Sequence, residues 1–117
     1  MRFGISLLIL LFALVLVPLQ SLAAEVLQVR SSTLLQVGDR NRNYSVRLAC
    51  VEVDPANEVE AVELLKKAVP RRKRVNLRPE GNEMGTLIAR VTPIGEDQDL
   101  GVSLVATGLA RSSCDQS

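Results

Sequence analysis

The sequence predicts a β-rich α+β domain in which a small five-stranded barrel carries one or two packed helices, preceded by a signal peptide. Short runs rich in β-branched residues, several with alternating apolar and polar side chains, recur along the chain, and two segments have the apolar spacing of helices. The chain has 117 residues, which suits a single domain whose modest core is built from Val, Leu and Ile.

The N-terminal segment, residues 1–23, has the pattern of a secretory signal peptide. It begins with a basic residue, residues 5–17 are apolar apart from one serine, and Ser21-Leu22-Ala23 supplies the small residues that a signal peptidase requires. The apolar run is short and a proline follows it, which argues against a spanning helix, although an uncleaved anchor is the alternative. We expect a secreted or periplasmic protein, cleaved near Ala23 or Ala24, that meets the membrane only during export.

Three strands are expected in the first half of the remaining chain. Residues 25–29 and 34–37 are short β-forming runs separated by polar residues. Residues 38–43 are rich in Gly, Asp and Asn and predict a turn, and residues 44–53 alternate apolar with other side chains. A meander of three strands is the economical arrangement.

A helix is expected directly after the third strand. Asp54 is placed to cap free amides and Pro55 fits the first helical position. Glutamates come early in the segment and lysines late, as the helix dipole favours, and a proline follows. The apolar residues that share one face of this helix are Val59, Val62, Leu65 and Val69.

Two more strands and a terminal helix complete the predicted domain. Residues 71–77 become strand-like, residues 79–82 contain Pro and Gly and predict a turn, and residues 85–91 form a fifth strand. A last helix is expected over residues 99–110, and residues 112–117 form a tail. The buried face of the last helix is predicted to consist of Leu100, Leu104, Val105 and Leu109.

The composition excludes several classes of function. The chain has 14 Lys and Arg, 13 Asp and Glu, and no His. Without histidine there is no Ser-His-Asp or Cys-His hydrolase and no His-ligated zinc site. Any chemistry must therefore use carboxylates, guanidiniums, amines or a metal.

The two cysteines, Cys50 and Cys114, can pair if the protein is exported. A disulfide would tie the C-terminal tail to a central strand and restrict the unfolded chain. The alternative is that Cys50 is a small buried apolar residue while Cys114 stays unpaired. Neither belongs to a CxxC pair, so reactive and metal-binding roles are poorly supported.

Three segments resemble the staphylococcal nuclease-like family, the thermonucleases. They are residues 47–55, 85–91 and 104–111, which read RLACVEVDP, GTLIARV and LVATGLAR. With the order of predicted elements, the resemblance covers a domain over residues 25–111. It implies an OB-type five-stranded barrel and, in active members, calcium-dependent hydrolysis of DNA and RNA.

The resemblance also implies functional residues. Family members hold a hard cation with carboxylates, use a further carboxylate to assist water, and stabilise the phosphate with two arginines. Arg47 matches the first arginine, Glu52 the second metal carboxylate, and Asp54 lies next to the position of the general base. The resemblance thus names Arg47, Glu52 and Asp54 as catalytic, Glu52 as metal ligand, and calcium as the cofactor of an active enzyme.

Three other positions depart from the family pattern. Ser32 stands where the first metal aspartate is expected, Thr86 where the second arginine is expected, and Pro55 where the general base is expected. Glu52 alone is a poor calcium cage, so no cofactor is expected. The departures favour a domain that kept the barrel and lost hydrolysis. Arg47 and Glu52 can instead form an ion pair, or be a solvated pair, on a strand.

Residues 66–78 form a basic segment with no acidic residue. Its charged members are Lys66, Lys67, Arg71, Arg72, Lys73, Arg74 and Arg78. Such a segment can follow the phosphates of nucleic acid or an anionic surface, or it can be a helix end that runs into a charged edge strand. Tyr44, the single aromatic residue left after signal removal, offers no set of stacking platforms, so nucleic-acid binding should be weak and salt-sensitive.

Three functions therefore stay open. The first is a secreted thermonuclease-like pseudoenzyme that binds nucleic acid, other phosphate-rich polymers or a protein partner. The second is a calcium-dependent phosphodiesterase acting on DNA or RNA through Arg47, Glu52 and Asp54. The third is a structural envelope protein whose barrel edges or tail hold another chain.

Overall fold

The computed structural model describes residues 22–40 and 42–114. Most of the predicted signal peptide, residues 1–21, lies outside the described residues. The elements within them are β1 (Leu22–Val29), β2 (Leu34–Asp39), β3 (Arg42–Leu48), β4 (Val51–Val53), α1 (Glu58–Ala68), β5 (Arg74–Glu83), β6 (Thr86–Pro93), α2 (Leu100–Ala106) and β7 (Ala110–Ser112), with a 3₁₀ turn (Pro55–Asn57) before α1.

Five strands close into a barrel in the order β1-β2-β3-β6-β5. Neighbouring strands are antiparallel except β3 and β6, which run parallel with Val46 opposite Leu87. The barrel closes where β1 pairs with β5, with Glu25 opposite Arg74. This closed mixed barrel with two helices confirms the predicted β-rich α+β class and is consistent with an OB-type arrangement.

The core fills the barrel and continues beneath both helices. The side chains of Leu35 and Val37 in β2 are fully buried, and the residues beside them are only partly covered. Leu65 of α1 and Leu104 of α2 are also fully buried. Burial of one such side chain contributes about 1.5–3 kcal/mol, so a core without aromatic residues can still hold the barrel.

The third predicted strand, residues 44–53, is divided in two. Cys50 has a φ of 64°, so the chain turns there and leaves the barrel. β4 then pairs with β7 in a separate two-stranded sheet in which Glu52 lies opposite Arg111. The left-handed conformation is uncommon for a residue other than glycine, and an alternating pattern does not reveal it.

The turn predicted at residues 79–82 lies instead at Met84 and Gly85. Strand β5 continues to Glu83, with an irregular register between Pro79 and Gly81. Met84 and Gly85 have φ values of 50° and 87°, as in the two-residue type I′ turns that connect hairpin strands. The predicted fourth and fifth strands are therefore the two arms of a longer hairpin.

The buried face of helix α1 differs from the predicted one at its N-terminal end. Leu65 and Val69 are buried as predicted, whereas Val59 is 72% exposed and Ala61 is fully buried. Asp54, expected to cap the helix, makes no side-chain capping bond. Its carboxylate instead lies 3.7 Å from the guanidinium of Arg111.

Helix α2 is shorter than predicted because the chain reverses at Gly108. The carboxylate of Asp99 caps its start by accepting a bond from the amide of Val102 at 3.0 Å. Gly108 has a φ of 82°, which ends helical bonding, and β7 follows. No helix among the described residues has the length and apolarity to cross a bilayer.

Candidate functional site

An open cleft of about 500 Å³ lies where the β1–β2 loop, the end of β3 and the start of α1 meet. Its lining includes Arg47 and Glu52, which the sequence predicted, together with Ser32 and Glu58. Asp54, the third predicted catalytic residue, does not line the cleft. The fold therefore brings two of the three predicted side chains into one place.

Ser32 and Glu58 form the closest polar contact in the cleft. Ser32 is 3% exposed, and its amide and hydroxyl donate to the two carboxylate oxygens of Glu58 at 2.9 and 2.6 Å. This contact fixes the β1–β2 loop to the first turn of α1. The serine at the position of a metal ligand thus has a structural partner, and the carboxylate of Glu58 is already satisfied.

Sequence reasoning missed Glu58 as a residue of the cleft. It belongs to the first turn of α1, where an acidic residue needs no explanation beyond the helix dipole. Its partner Ser32 is 26 positions away in the chain. A local pattern could not reveal this pairing.

Arg47 is held only loosely. Its guanidinium is 49% exposed and one nitrogen lies 3.9 Å from the carboxylate of Glu83. Ion pairs that are this exposed contribute little to stability. The guanidinium is therefore free to approach an anion in the cleft.

The carboxylates of Glu52 and Asp54 both lie beside the exposed guanidinium of Arg111. Arg111 donates to Glu52 at 2.8 Å and lies 3.7 Å from Asp54. The hydrogen bond that Arg111 donates to Glu52 is the main cause of the raised pKa of Arg111, and the charge of Asp54 adds to it. Arg47 and Glu52 do not pair with each other, since Arg47 lies beside Glu83 and Glu52 beside Arg111.

The carboxylates of the cleft do not fit a calcium site. Calcium takes six to eight oxygen ligands, whereas Glu52 and Glu58 are each bonded within the chain. The described residues contain no group of three or more His, Cys, Asp or Glu side chains placed to hold a metal ion.

Thr86 stands where the resemblance to the thermonucleases would place a second phosphate-binding arginine. It begins β6, opposite Glu83.

Cys50 and Cys114 form a disulfide, with their Cα atoms 4.7 Å apart. The bridge ties the turn between β3 and β4 to the C-terminal segment that follows β7. Beside it, the amide of Ser113 donates to the carbonyl of Cys50 at 3.1 Å. Cys50 and Ser113 both line the cleft. The C-terminal segment is thus one wall of the cleft.

Arg90 supports the same corner from β6. It donates to Glu80 at 2.8 Å and to Asp99 at 3.2 Å. The hydrogen bond with Glu80 is the main cause of its raised pKa. Its remaining nitrogen lies 3.4 Å from the sulfur of Cys50, so this arginine links the hairpin and the start of α2 to the disulfide.

The basic segment is mostly exposed, and Lys73 is partly buried. It contains the last turn of α1 and the start of β5, as the alternative to nucleic-acid binding predicted. However, β5 is not an edge strand, because it pairs with both β1 and β6. Protection of a sheet edge therefore does not explain these charges.

Arg111 is the second residue that sequence reasoning missed at the site. Its role depends on the pairing of β4 with β7, which joins residues 59 positions apart.

No protein-family model and no curated protein matches the sequence.

Proposed function

We propose that the chain is an exported OB-type barrel, related to the thermonucleases, that has lost hydrolysis and binds single-stranded nucleic acid through charge. The observation that carries this proposal is the state of the two acidic residues in the cleft. Glu58 accepts two hydrogen bonds from Ser32, and Glu52 accepts one from Arg111. A carboxylate satisfied in this way is poorly placed to bind a metal or to take a proton from water.

Binding requires only exposed cations, and the chain has them. Arg71, Arg72 and Arg74 are exposed, and Arg47 is half exposed in the cleft. Neutralisation of phosphates by such side chains releases counterions and supplies affinity that does not depend on sequence. Because aromatic side chains are nearly absent, stacking adds little and the affinity should be modest.

The test follows cleavage and binding with one probe, a fluorescent single-stranded oligonucleotide. The protein recovered from expressing cells, its N-terminus defined by mass spectrometry, is incubated with the probe in calcium or in chelator. We expect no cleavage in either buffer. Binding should weaken with salt, with a slope of log K against log salt of about −0.7 for each phosphate contacted.

Neutralising Arg71, Arg72 and Arg74 to Gln should reduce the binding. The control is a variant in which the exposed residues Glu60 and Glu63 are changed to Gln, which should bind at least as tightly as the unmodified protein. If neither variant changes the affinity, the proposal that these charges bind the oligonucleotide is wrong.

A residual calcium-dependent phosphodiesterase is the second candidate, favoured by the presence of Arg47 and Glu52 in one cleft. Calcium-dependent cleavage that disappears in Arg47→Ala would establish it and overturn the proposal. If the protein neither cleaves nor binds the probe at low salt, a structural role in the envelope is favoured instead.

A further inference from the structure

A second and larger open groove, of about 1110 Å³, lies at the other end of the barrel from the Arg47 cleft. Strand β1 begins at this groove and ends at the loop that enters the cleft, and the turn between β2 and β3 brings the chain back to the groove. Its volume is at the upper limit of clefts that hold small molecules, so it can accommodate an extended ligand.

Three arginines from separate segments line this groove. Arg40 and Arg42 belong to the turn between β2 and β3, and Arg74 begins β5. The strand register places Glu25 between Arg74 on one side and Gly38 on the other. With strands about 4.8 Å apart, the arginines of β3 and β5 flank a surface about 14 Å wide.

Leu27 provides an apolar patch between these arginines, on the same strand as Glu25. Gly38 has no side chain, and a Cβ atom built there would lie 3.1 Å from Cδ1 of Leu27. Leu27 therefore covers the place that a larger residue at position 38 would take. Leu27 lies beyond the expected cleavage point and so belongs to the exported protein.

The groove carries a small excess of positive charge. Its three arginines face two acidic residues, Glu25 and Asp39. In the strand register Glu25 lies opposite Arg74 and Asp39 lies opposite Arg42. However, none of the ion pairs within 4.0 Å among the described residues involves Arg40, Arg42 or Arg74, so these guanidiniums can still reach a phosphate.

Arg42 is also held in place. Its guanidinium lies 5.2 Å from the centre of the Tyr44 ring, within the range of a cation–π interaction. An arginine that is already oriented loses less side-chain freedom when it binds a phosphate. The groove therefore combines arginines at its rim with the apolar side chain of Leu27.

We infer that this groove, and not the Arg47 cleft, is the main contact surface for single-stranded nucleic acid, an inference that rests on the proposed function. The phosphates lie on Arg40, Arg42 and Arg74, and an unstacked base covers Leu27. A duplex keeps its bases paired and stacked, so it cannot place a base on Leu27. The basic segment enters the groove at Arg74, so the two form one continuous surface.

The experiment compares two triple variants that each lower the net charge by three. The groove variant is Arg40→Asn, Arg42→Gln and Arg74→Gln, with Asn at position 40 because that residue has a φ of 58° and Asn tolerates positive φ. The control variant is Arg30→Gln, Ala106→Glu and Arg111→Gln, at exposed positions outside both the groove and the basic segment. Binding of a fluorescent single-stranded oligonucleotide is measured across a salt series, and circular dichroism verifies folding.

We expect the groove variant to lose at least tenfold in affinity at low salt. Its salt slope should fall by about 2, because three phosphate contacts at about 0.7 each are removed. The control variant should change affinity by less than threefold. Equal losses in the two variants would overturn the inference, since net charge alone would then explain them.

A second measurement uses the unmodified protein, so it does not depend on the folding of a variant. An arginine-specific reagent is applied with and without the oligonucleotide, and the modified residues are mapped by mass spectrometry. The oligonucleotide should protect Arg40, Arg42 and Arg74 and leave Arg47 reactive. Protection of Arg47 alone would overturn the inference while the proposed function stands.

Two further outcomes separate the inference from the proposed function. If the unmodified protein fails to bind the oligonucleotide at low salt, both are overturned together. If it binds vesicles of anionic phospholipid and not the oligonucleotide, the groove recognises a membrane surface and the inference is wrong.

Discussion

Ser32 is buried, and both its amide and its hydroxyl bond to the carboxylate of Glu58. The change Glu58→Ala leaves these two groups without their partner in a place that water reaches poorly. We expect it to lower the free energy of unfolding by about 1–3 kcal/mol, the usual penalty for an unsatisfied buried polar group. Urea denaturation followed by circular dichroism measures the change.

The control for this residue is Glu60→Ala on the same helix, where the side chain is exposed. That change should stay within about 0.5 kcal/mol of the unmodified protein. If Glu58→Ala changes the free energy of unfolding as little as the control does, the contact between Ser32 and Glu58 does not stabilise the fold.

At this scale, part of the candidate site could be predicted from the sequence. Arg47 and Glu52 lie on consecutive strands and line one cleft, whereas Asp54, the third predicted residue, does not. The partners Glu58 and Arg111 could not be found, because their contacts join residues 26 and 59 positions apart. Such contacts depend on how the elements pack, which local patterns do not contain.

The hairpin of β5 and β6 carries a strained residue at its tip. Met84 has a φ of 50° and is fully exposed, and Gly85 follows with a φ of 87°. A type I′ turn prefers Asn-Gly, because Asn tolerates positive φ better than Met. We expect Met84→Asn to stabilise the protein by about 0.5–1 kcal/mol, measured as a rise in the midpoint of thermal unfolding.

The matched control for the turn is Met84→Ala. It removes the same exposed side chain but keeps a residue that disfavours positive φ, so it should bring no gain in stability. An equal gain from Ala and Asn would mean that removal of the exposed side chain, and not relief of the backbone, is responsible.

At the scale of elements, all five predicted strands are found, but their ends differ from the predicted ones. The two largest displacements occur where a residue other than glycine takes positive φ, at Cys50 and at Met84. Alternating apolar side chains and Pro-Gly-rich stretches indicate where strands and turns usually form. They do not reveal a residue other than glycine that takes positive φ. The error at α1, where Val59 is exposed, has another cause, since Ser32 and Glu58 fix the rotation of the helix.

At the scale of the whole molecule, the disulfide holds the C-terminal segment against the turn between β3 and β4. It connects Cys50 to Cys114, 64 positions apart. Neither cysteine belongs to the core cluster of the barrel strands and helices, so we expect the fold to survive the loss of the bridge. The bridge acts mainly on the unfolded chain, which it prevents from expanding freely.

We therefore expect the variant Cys50→Ser with Cys114→Ser to fold with an unchanged far-ultraviolet spectrum but a free energy of unfolding lower by about 2–4 kcal/mol. Denaturation in urea measures this, and the slope should increase because the unbridged chain exposes more surface. Reducing agent should destabilise the unmodified protein by a similar amount and leave the variant unaffected. Equal stability with and without the bridge would show that the unfolded chain gains no freedom from its removal.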